Sequence, residues 1–322
     1  MGRTAPFLVL LVGVVAASSS SILIRYAQQE GIASLAIAAW RMTLASLVLM
    51  PLALALPALR AELRHIAARS VVVAAVAGVF LAAHFVTWIS SLEYTSVASS
   101  AALVTTNPIW VGLATVFLFR ERLARLTIIG IGISLLGCLL ILWVDLRVGA
   151  GQAATAAAGA APAAGAFGRQ PLLGNALALA GALCISAYLL TGRRVARQFT
   201  LLAYVTLVYG ASAVVLVAAA LAADVELWRF TTTGWWALAG LALGPQLVGH
   251  TAFNWSLRRL SPTFVALSIL GEPVGSALLA SFLFLEVPSG LQIVAFATLL
   301  CGILVAALGE RQTPPAAAGT AS

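Results

Sequence analysis

Residues 97–123 read VASSAALVTTNPIWVGLATVFLFRERL, and residues 261–288 read SPTFVALSILGEPVGSALLASFLFLEVP. Both stretches are apolar, place a polar residue directly before a proline near their middle, and carry a glutamate near their end. At a constant offset of 165 residues (Pro108 to Pro273), identical residues recur without a gap: Ser91/Ser256, Leu92/Leu257, Ser96/Ser261, Phe117/Phe282, Leu118/Leu283, Phe119/Phe284, Glu121/Glu286 and Gly137/Gly302. Proline, glutamate, phenylalanine and glycine in one register indicate an internal repeat.

The chain around these two stretches is too apolar for a soluble domain. Of its 322 residues 62% are hydrophobic and 9% are charged, with a mean hydropathy of +1.05, whereas a soluble domain carries roughly 25% charged residues. The apolar residues form ten long blocks, each long enough to cross a hydrocarbon core of about 30 Å as a helix. We therefore predict an all-α membrane protein with ten transmembrane helices. The predicted helices 1 to 10 cover 6–26, 33–56, 70–90, 97–119, 124–144, 171–190, 201–222, 234–256, 263–285 and 290–308.

An Ala/Gly-rich tract separates the first five predicted helices from the last five. Glycines and Pro162 interrupt its alanines, which favours a flexible linker. We predict a first repeat over 6–145, a linker over 146–170, a second repeat over 171–308 and a disordered tail over 309–322.

Arginine supplies all of the positive charge, and its distribution sets the orientation. With a cytoplasmic N-terminus, 13 of the 18 basic residues lie in inner connections, 4 lie in outer ones, and Arg41 lies within helix 2. The positive-inside rule therefore places both termini in the cytoplasm. Because each half has an odd number of helices, the two five-helix repeats are inverted relative to each other, as in inverted-repeat transporters. Topology also accounts for the net charge of +8, so we expect no nucleic-acid partner.

The sequence offers little material for other classes of protein. The N-terminal block, which ends at Ser18–Ser21, resembles a signal peptide, but the apolar pattern continues beyond it and the repeat requires it as helix 1. Cys138, Cys184 and Cys301 lie in apolar blocks, where we interpret them as small hydrophobic residues. The sequence shows no phosphate loop, catalytic triad or cofactor motif. We therefore expect no cofactor, no metal and no enzymatic activity.

Glu272 and Asn107 occupy equivalent places in the two repeats, directly before Pro273 and Pro108. A charge at the bilayer centre costs roughly 2.5–3.5 kcal/mol, so Glu272 indicates a function. Each proline removes a helical hydrogen bond, so we predict two hinges that face each other near the midplane. A carboxyl removed from water favours its neutral form, which makes Glu272 our candidate for proton coupling. The alternative is that Glu272 only hydrogen-bonds a neighbouring helix and that Asn107 only accompanies a kink.

Two polar-aromatic stripes at a spacing of four residues complete the predicted substrate site. They are Gln246, His250 and Asn254 in helix 8, and Phe80, His84 and Trp88 in helix 3. Stripes that face a cavity would bind a small amphipathic solute. The alternative is hydrogen bonding between helices, worth about 0.6 kcal/mol per contact.

Arg41 follows Trp40 in helix 2, and two interpretations are open for this pair. Arg41 either pairs with Glu272 or with a substrate carboxylate, or it extends to the outer interface with Trp40 as an anchor. Tyr188 in helix 6 is a further candidate for the substrate site.

The two opening stretches, followed by GIGISLLGCLLI (130–141) and ATLLCGILV (297–305), resemble the EamA domains of the drug/metabolite transporter superfamily. The shared pattern is a polar residue before a mid-helix proline, an acidic residue that closes the helix, and a glycine-bearing helix. The resemblance implies a ten-helix inner-membrane carrier that exports amino acids, metabolites or small drugs. Helix 1 of the family often carries an aromatic residue where this chain has Ser18–Ser21.

We therefore predict a secondary transporter that moves a small molecule by alternating access and uses protons as a candidate coupling ion. Its other partners are membrane lipids, and the sequence leaves open a monomer or a homodimer. The alternative is a membrane-embedded lipid-modifying enzyme, which would have to use His84, His250 and Glu272. A scaffold or receptor is disfavoured because the sequence has no large soluble domain.

Overall fold

A computed structural model describes residues 5–117, 124–157, 170–193, 198–256, 271–285 and 288–310, and these ranges contain helices and no strand. The helices of the first half are α1 (Ala5–Ser18), α2 (Ser20–Gln29), α3 (Ser34–Ala55), α4 (Pro57–His65), α5 (Ala68–Tyr94), α6 (Val97–Val104), α7 (Asn107–Phe117) and α8 (Arg125–Ala157). Those of the second half are α9 (Pro171–Arg193), α10 (Leu201–Ala222), α11 (Thr232–Leu241), a π-helix (Ala242–His250), α12 (Thr251–Ser256), α13 (Gly271–Phe284) and α14 (Gly290–Glu310).

Within the described ranges, six helical segments are long and apolar enough to cross a membrane. They cover Phe7–Gln29, Ser34–Ala55, Ala68–Tyr94, Arg125–Val144, Pro171–Thr191 and Leu201–Ala222. Large apolar side chains on them are exposed, among them Leu11, Leu47 and Val214, as expected where lipid rather than water covers the surface. The chain is therefore a multi-pass helical membrane protein, and the full count of ten spans stays a prediction.

Predicted helices 1, 4 and 8 are not continuous α-helices. Helix 1 divides at Ser19, where serine hydroxyls bond back to carbonyl oxygens of the preceding turn, a bond that bends helices. Helix 4 divides at Thr105–Thr106, directly before Asn107 and Pro108. Helix 8 widens into the π-helix around Pro245, which lacks the N–H that an α-turn requires. Such interruptions are frequent at functional sites of membrane proteins.

Helix α8 is longer than the sequence indicated. It does not end at 144 but continues to Ala157, so the first part of the predicted flexible linker 146–170 is helical. The high helix propensity of alanine outweighs the interspersed glycines here. Residues 158–169 of the linker lie outside the described residues. The predicted tail 309–322 begins inside α14, which ends at Glu310, and its remainder also lies outside them.

The core joins helices of the two halves. α5 packs against α9, α3 packs against α10, and α1 packs against the π-helix. One apolar cluster runs through the first two of these contacts and includes Ile37, Met42, Phe85, Val208 and Leu238. The helix pairs α3/α10 and α5/α9 therefore form the frame in which the polar residues of the interior are held.

A second contact joins α8 to α14. The two backbones approach so closely at Gly130, Gly137 and Gly302 that a Cβ atom at any of these positions would collide with the opposite backbone. Glycine is the residue that permits this approach between membrane helices. Gly137 and Gly302 are equivalent positions of the internal repeat, so the repeat has a direct structural role at this contact.

Candidate functional site

The guanidinium of Arg41 is the centre of a polar cluster in the helical core. Its Nε donates to Oε1 of Gln246 at 2.9 Å, and its Nη1 donates to Oγ of Ser20 at 2.7 Å. Arg41 is 0% exposed, so it does not extend to the outer interface and that alternative is wrong. A charge enclosed in this way requires hydrogen-bond partners, and they come from helix 1 and from the π-helix of helix 8.

Aromatic rings cover the other side of Arg41. Its Cζ lies 4.3 Å from the ring centroid of Phe85 and 5.8 Å from that of Trp88, within the range of cation–π attraction. His84 stacks on Trp88 at 5.7 Å. The Nδ1 of His84 lies 2.9 Å from the carbonyl oxygen of Gly181, which can only accept, so Nδ1 donates. Helix α5, which is predicted helix 3, therefore supplies the aromatic side of the cluster.

Glu272 lies in the first turn of α13 and carries the charge opposite to that of Arg41. The two side chains attract each other electrostatically, but within the described part of the chain no hydrogen bond holds the Glu272 carboxylate. Helix α13 is fixed to the interruption of helix 1, because Ser276 Oγ donates to the Ser18 carbonyl oxygen at 3.0 Å. Ser18 Oγ in turn lies 3.4 Å from the Glu272 carbonyl oxygen. Glu272 therefore lies near Arg41 and has no hydrogen-bond partner among the described residues.

The predicted stripe of helix 8 is only partly found. Gln246 is fully buried against Arg41, and the ring of His250 packs edge-on against Phe85 and Phe253 at 6.3 and 6.2 Å. Both residues belong to the π-helix, and both reach the cluster, Gln246 at Arg41 and His250 at Phe85. The side chain of Asn254 lies outside the described residues. Of the helix 3 stripe, His84 and Trp88 reach the cluster.

Two of the predicted site residues lie elsewhere. Trp40 donates from Nε1 to the Leu227 carbonyl oxygen at 2.7 Å and packs edge-on against Trp228 and Trp235, so it fixes the connection between α10 and α11. Tyr188 on α9 is buried and interacts with tyrosines of α10. Neither residue touches the guanidinium of Arg41 in the described structure.

The described residues do not test the predicted meeting of the two hinge prolines, which stays a prediction. The Asn107 carbonyl oxygen accepts from Ser186 Oγ at 3.2 Å, and α7 packs against α9, whereas α6 supplies the main packing of helix 4 against α13. The side chain of Pro108 lies outside the described residues. Pro273 is buried in the first turn of α13, and residues 263–270, which precede it in predicted helix 9, also lie outside them.

The model of the EamA-like transporter family matches residues 4–143 and 172–308. The chain belongs to this family. It carries two EamA repeats and is a membrane transporter of the drug/metabolite type, and members of the family are generally transporters rather than enzymes. The predicted resemblance is thereby confirmed.

The same fold occurs among solved structures. Sixteen chains match, and one of them, described only as the crystal structure of a protein, has a TM-score of 0.63 at 22% identity. That match covers 97% of the EamA chain and 100% of the solved one. None of the curated proteins matches the chain. At this identity the likeness concerns the fold alone.

The sequence patterns did not predict three residues that lie in the site of this EamA protein. Ser20 binds Arg41, and the run of serines in an apolar helix was the available signal. Phe85 lies against the guanidinium, but a phenylalanine in an apolar helix gives no signal. Tyr209 on α10 is 1% exposed and interacts with Arg41, and its polar tip in an uncharged helix was a weak signal.

Proposed function

We propose that this EamA protein is a secondary transporter that exports a small metabolite, an amino acid or a drug across the inner membrane. In this proposal the two inverted halves give alternating access to the site, and both termini are cytoplasmic. The observation that carries the proposal is the fully buried guanidinium of Arg41 in the first repeat together with the half-buried carboxylate of Glu272 in the second, which attract each other electrostatically.

The charges favour a solute that carries one anionic and one cationic group. A single buried charge is costly unless a partner of opposite sign is close. A solute anion at Arg41 and a solute cation at Glu272 would leave the occupied site without net charge. Among the three solute classes, an amino acid has this pattern in its simplest form.

The contacts of Arg41 also support alternating access. They connect helix 2 to Ser20 in the first repeat and to Gln246 in the second, so a solute anion that displaces them would release one repeat from the other. The interruptions at Ser19 and Thr105–Thr106 and the π-helix provide bends about which the helix halves can move.

Glu272 is our proposed proton-coupling residue. Its carboxylate has no hydrogen-bond partner among the described residues, and Arg41 supplies a positive charge nearby. A carboxylate whose distance from that charge changes between two conformations can bind a proton in one and release it in the other. Uptake of a proton by Glu272 would weaken its attraction to Arg41 or to a solute cation and so promote release.

Counterflow and pH-driven uptake in proteoliposomes test this function. The panel contains amino acids, nucleosides and cationic drugs. We expect the wild type to exchange at least one zwitterionic solute, and to accumulate that solute when an imposed proton gradient drives the uptake. Glu272→Gln should keep exchange but lose accumulation. Asp224→Asn, at an exposed position, is the matched control and should behave as the wild type. If Glu272→Gln accumulates solute normally, the proposed proton coupling is wrong.

The described residues give little support to the alternative function, a lipid-modifying enzyme. His84 is stacked on Trp88 and hydrogen-bonded inside the core. In the described ranges no three His, Cys, Asp or Glu side chains come together as a metal site. We therefore propose transport alone.

A further inference from the structure

Three hydrogen-bond donors around Arg41 are buried without a partner. They are Nε2 of Gln246, Oη of Tyr209 and Nε1 of Trp88, and each lacks a hydrogen bond within the described structure. Their side chains are 0%, 1% and 4% exposed. Most buried polar groups in proteins are hydrogen-bonded, so three orphaned groups around one charge require an explanation.

The three side chains surround the same guanidinium. The other end of the Gln246 amide already binds Arg41, and the ring centroid of Trp88 lies 5.8 Å from Cζ. Tyr209 lies beside Gln246 and is attracted to Arg41, but its hydroxyl and the Gln246 N–H₂ form no hydrogen bond of full geometry with each other. The three side chains come from three different elements, the π-helix, α10 and α5. One small ligand at Arg41 can therefore reach all of them.

The chemistry of these groups selects the ligand. The guanidinium, the indole N–H and the amide N–H₂ donate and cannot accept, and the phenol also has its proton to donate. The cluster is therefore rich in donors and poor in acceptors, and an anionic group with several oxygen lone pairs completes it. Such a group forms charge-assisted bonds with Arg41, which are the stronger kind.

The balance of charge separates singly from doubly charged oxyanions. Arg41 carries one positive charge and Glu272 one negative charge, so a monoanion accompanied by a cationic group keeps the occupied site neutral. A doubly charged phosphate would leave two negative charges in excess, which is unfavourable in the helical core. A carboxylate meets this condition.

We propose that Gln246, Tyr209 and Trp88 form, with Arg41, a carboxylate subsite that selects the transported solute, an inference that rests on the proposed transport function. The donors are enclosed in the present conformation. The carboxylate enters when the π-helix moves away from α3, and it replaces Gln246 Oε1 and Ser20 Oγ as the acceptor for Arg41. Tyr209 is the specificity-determining residue that the sequence patterns did not indicate.

The test compares each amino acid with its methyl ester and its primary amide in competitive counterflow through reconstituted full-length protein. Esters and amides keep the ammonium group but lack the carboxylate. We expect the wild type to bind the free acid at least about tenfold more tightly, since a hydrogen bond to a charged group contributes this much or more. An O-phosphoamino acid, which adds a dianion, should compete less well than its parent.

Tyr209→Phe isolates the new residue because it removes only the hydroxyl. It should raise the half-saturation concentration for the free acid about tenfold and leave that for the ester unchanged. Tyr94→Phe, at the end of α5 and away from the cluster, is the matched control and should change neither.

The possible failures are distinguishable. A wild type that exchanges acid and ester equally overturns the carboxylate subsite and leaves the transport function standing. An equal effect of Tyr209→Phe on acid and ester overturns the role of Tyr209. A wild type that exchanges no member of the panel overturns the transport function and, with it, the subsite.

Discussion

Replacement of Gln246 by leucine tests the polar cluster on its own, without any knowledge of the solute. Leucine is similar to glutamine in volume but removes Oε1, the acceptor that lies 2.9 Å from Arg41 Nε. Ser20 then remains as the hydrogen-bond acceptor for the guanidinium. Because Arg41 is fully enclosed, water cannot replace the lost partner.

Two opposing effects determine how much Gln246→Leu changes the free energy of unfolding. Loss of a hydrogen bond to a buried charged group costs about 1.5–3 kcal/mol, and removal of the unpaired Nε2 donor of Gln246 returns about 1 kcal/mol. The charged bond dominates, so we expect a net loss of roughly 0.5–2 kcal/mol in the free energy of unfolding. For a chain of this size that corresponds to a fall of about 1–3 °C in the apparent Tm.

The assay is thermal unfolding of the purified protein in detergent, followed by size-exclusion chromatography. Gln29→Leu is the matched control, because Gln29 is exposed at the end of α2, and it should shift the Tm by less than about 1 °C. Gln246→Glu keeps an acceptor for Arg41 and should be more stable than Gln246→Leu. If Gln246→Leu is as stable as the wild type, Arg41 does not depend on this bond and the reasoning about the cluster is refuted.

Three further predictions address the site, the helix packing and a surface turn. Arg41→Lys should raise the half-saturation concentration of a carboxylate solute about tenfold in counterflow, because lysine is a point charge that cannot reproduce the guanidinium fork; an unchanged value would contradict this. Gly137→Val should lower the Tm by several degrees, because its side chain would collide with the backbone of α14 and overpacking costs about 1–3 kcal/mol. Gly132→Ala in the same helix meets nothing within 4 Å and should cause no loss, so equal effects of the two changes would exclude the collision as the cause. Backbone N–H groups of its own turn lower the pKa of the exposed Glu226 below its ordinary value of 4.5. A lowered folded-state pKa stabilises the fold above the unfolded pKa, and this contribution is lost as pH falls through the folded pKa. The Tm difference between wild type and Glu226→Gln should therefore be present at neutral pH and vanish in acid, and a difference that persists at low pH would contradict this origin.

The sequence predicted long regular helices well and their interruptions poorly. The bounds of α3 and α10 agree with the predicted spans within one residue, because hydropathy alone decides where such helices end. The break at Ser19 and the π-helix around Pro245 depend on serine hydroxyls that bond back to the helix and on a missing proline N–H, and a hydropathy pattern registers neither. The extension of α8 to Ala157 was missed because glycine and proline were given more weight than alanine.

The candidate site was partly predictable for a similar reason. Arg41 and Glu272 were recognisable because a charge inside an apolar helix is costly and therefore informative. Tyr209 and Phe85 were not, since an aromatic side chain in an apolar helix has an ordinary place in a core. Trp40 was misplaced in the site because its position along helix 2 does not reveal that its ring turns toward Trp228 and Trp235.

Accessibility of the Arg41 cluster from each side of the membrane tests alternating access most directly. Ser20→Cys, in a background where Cys138, Cys184 and Cys301 are replaced by serine, places one thiol beside the guanidinium. In oriented proteoliposomes a membrane-impermeant thiol reagent should label this cysteine when applied from either side, and a saturating transported solute should suppress both reactions. Labelling from one side only under all solute and pH gradients, or unaffected by solute, would contradict a central site that opens to the two sides in turn.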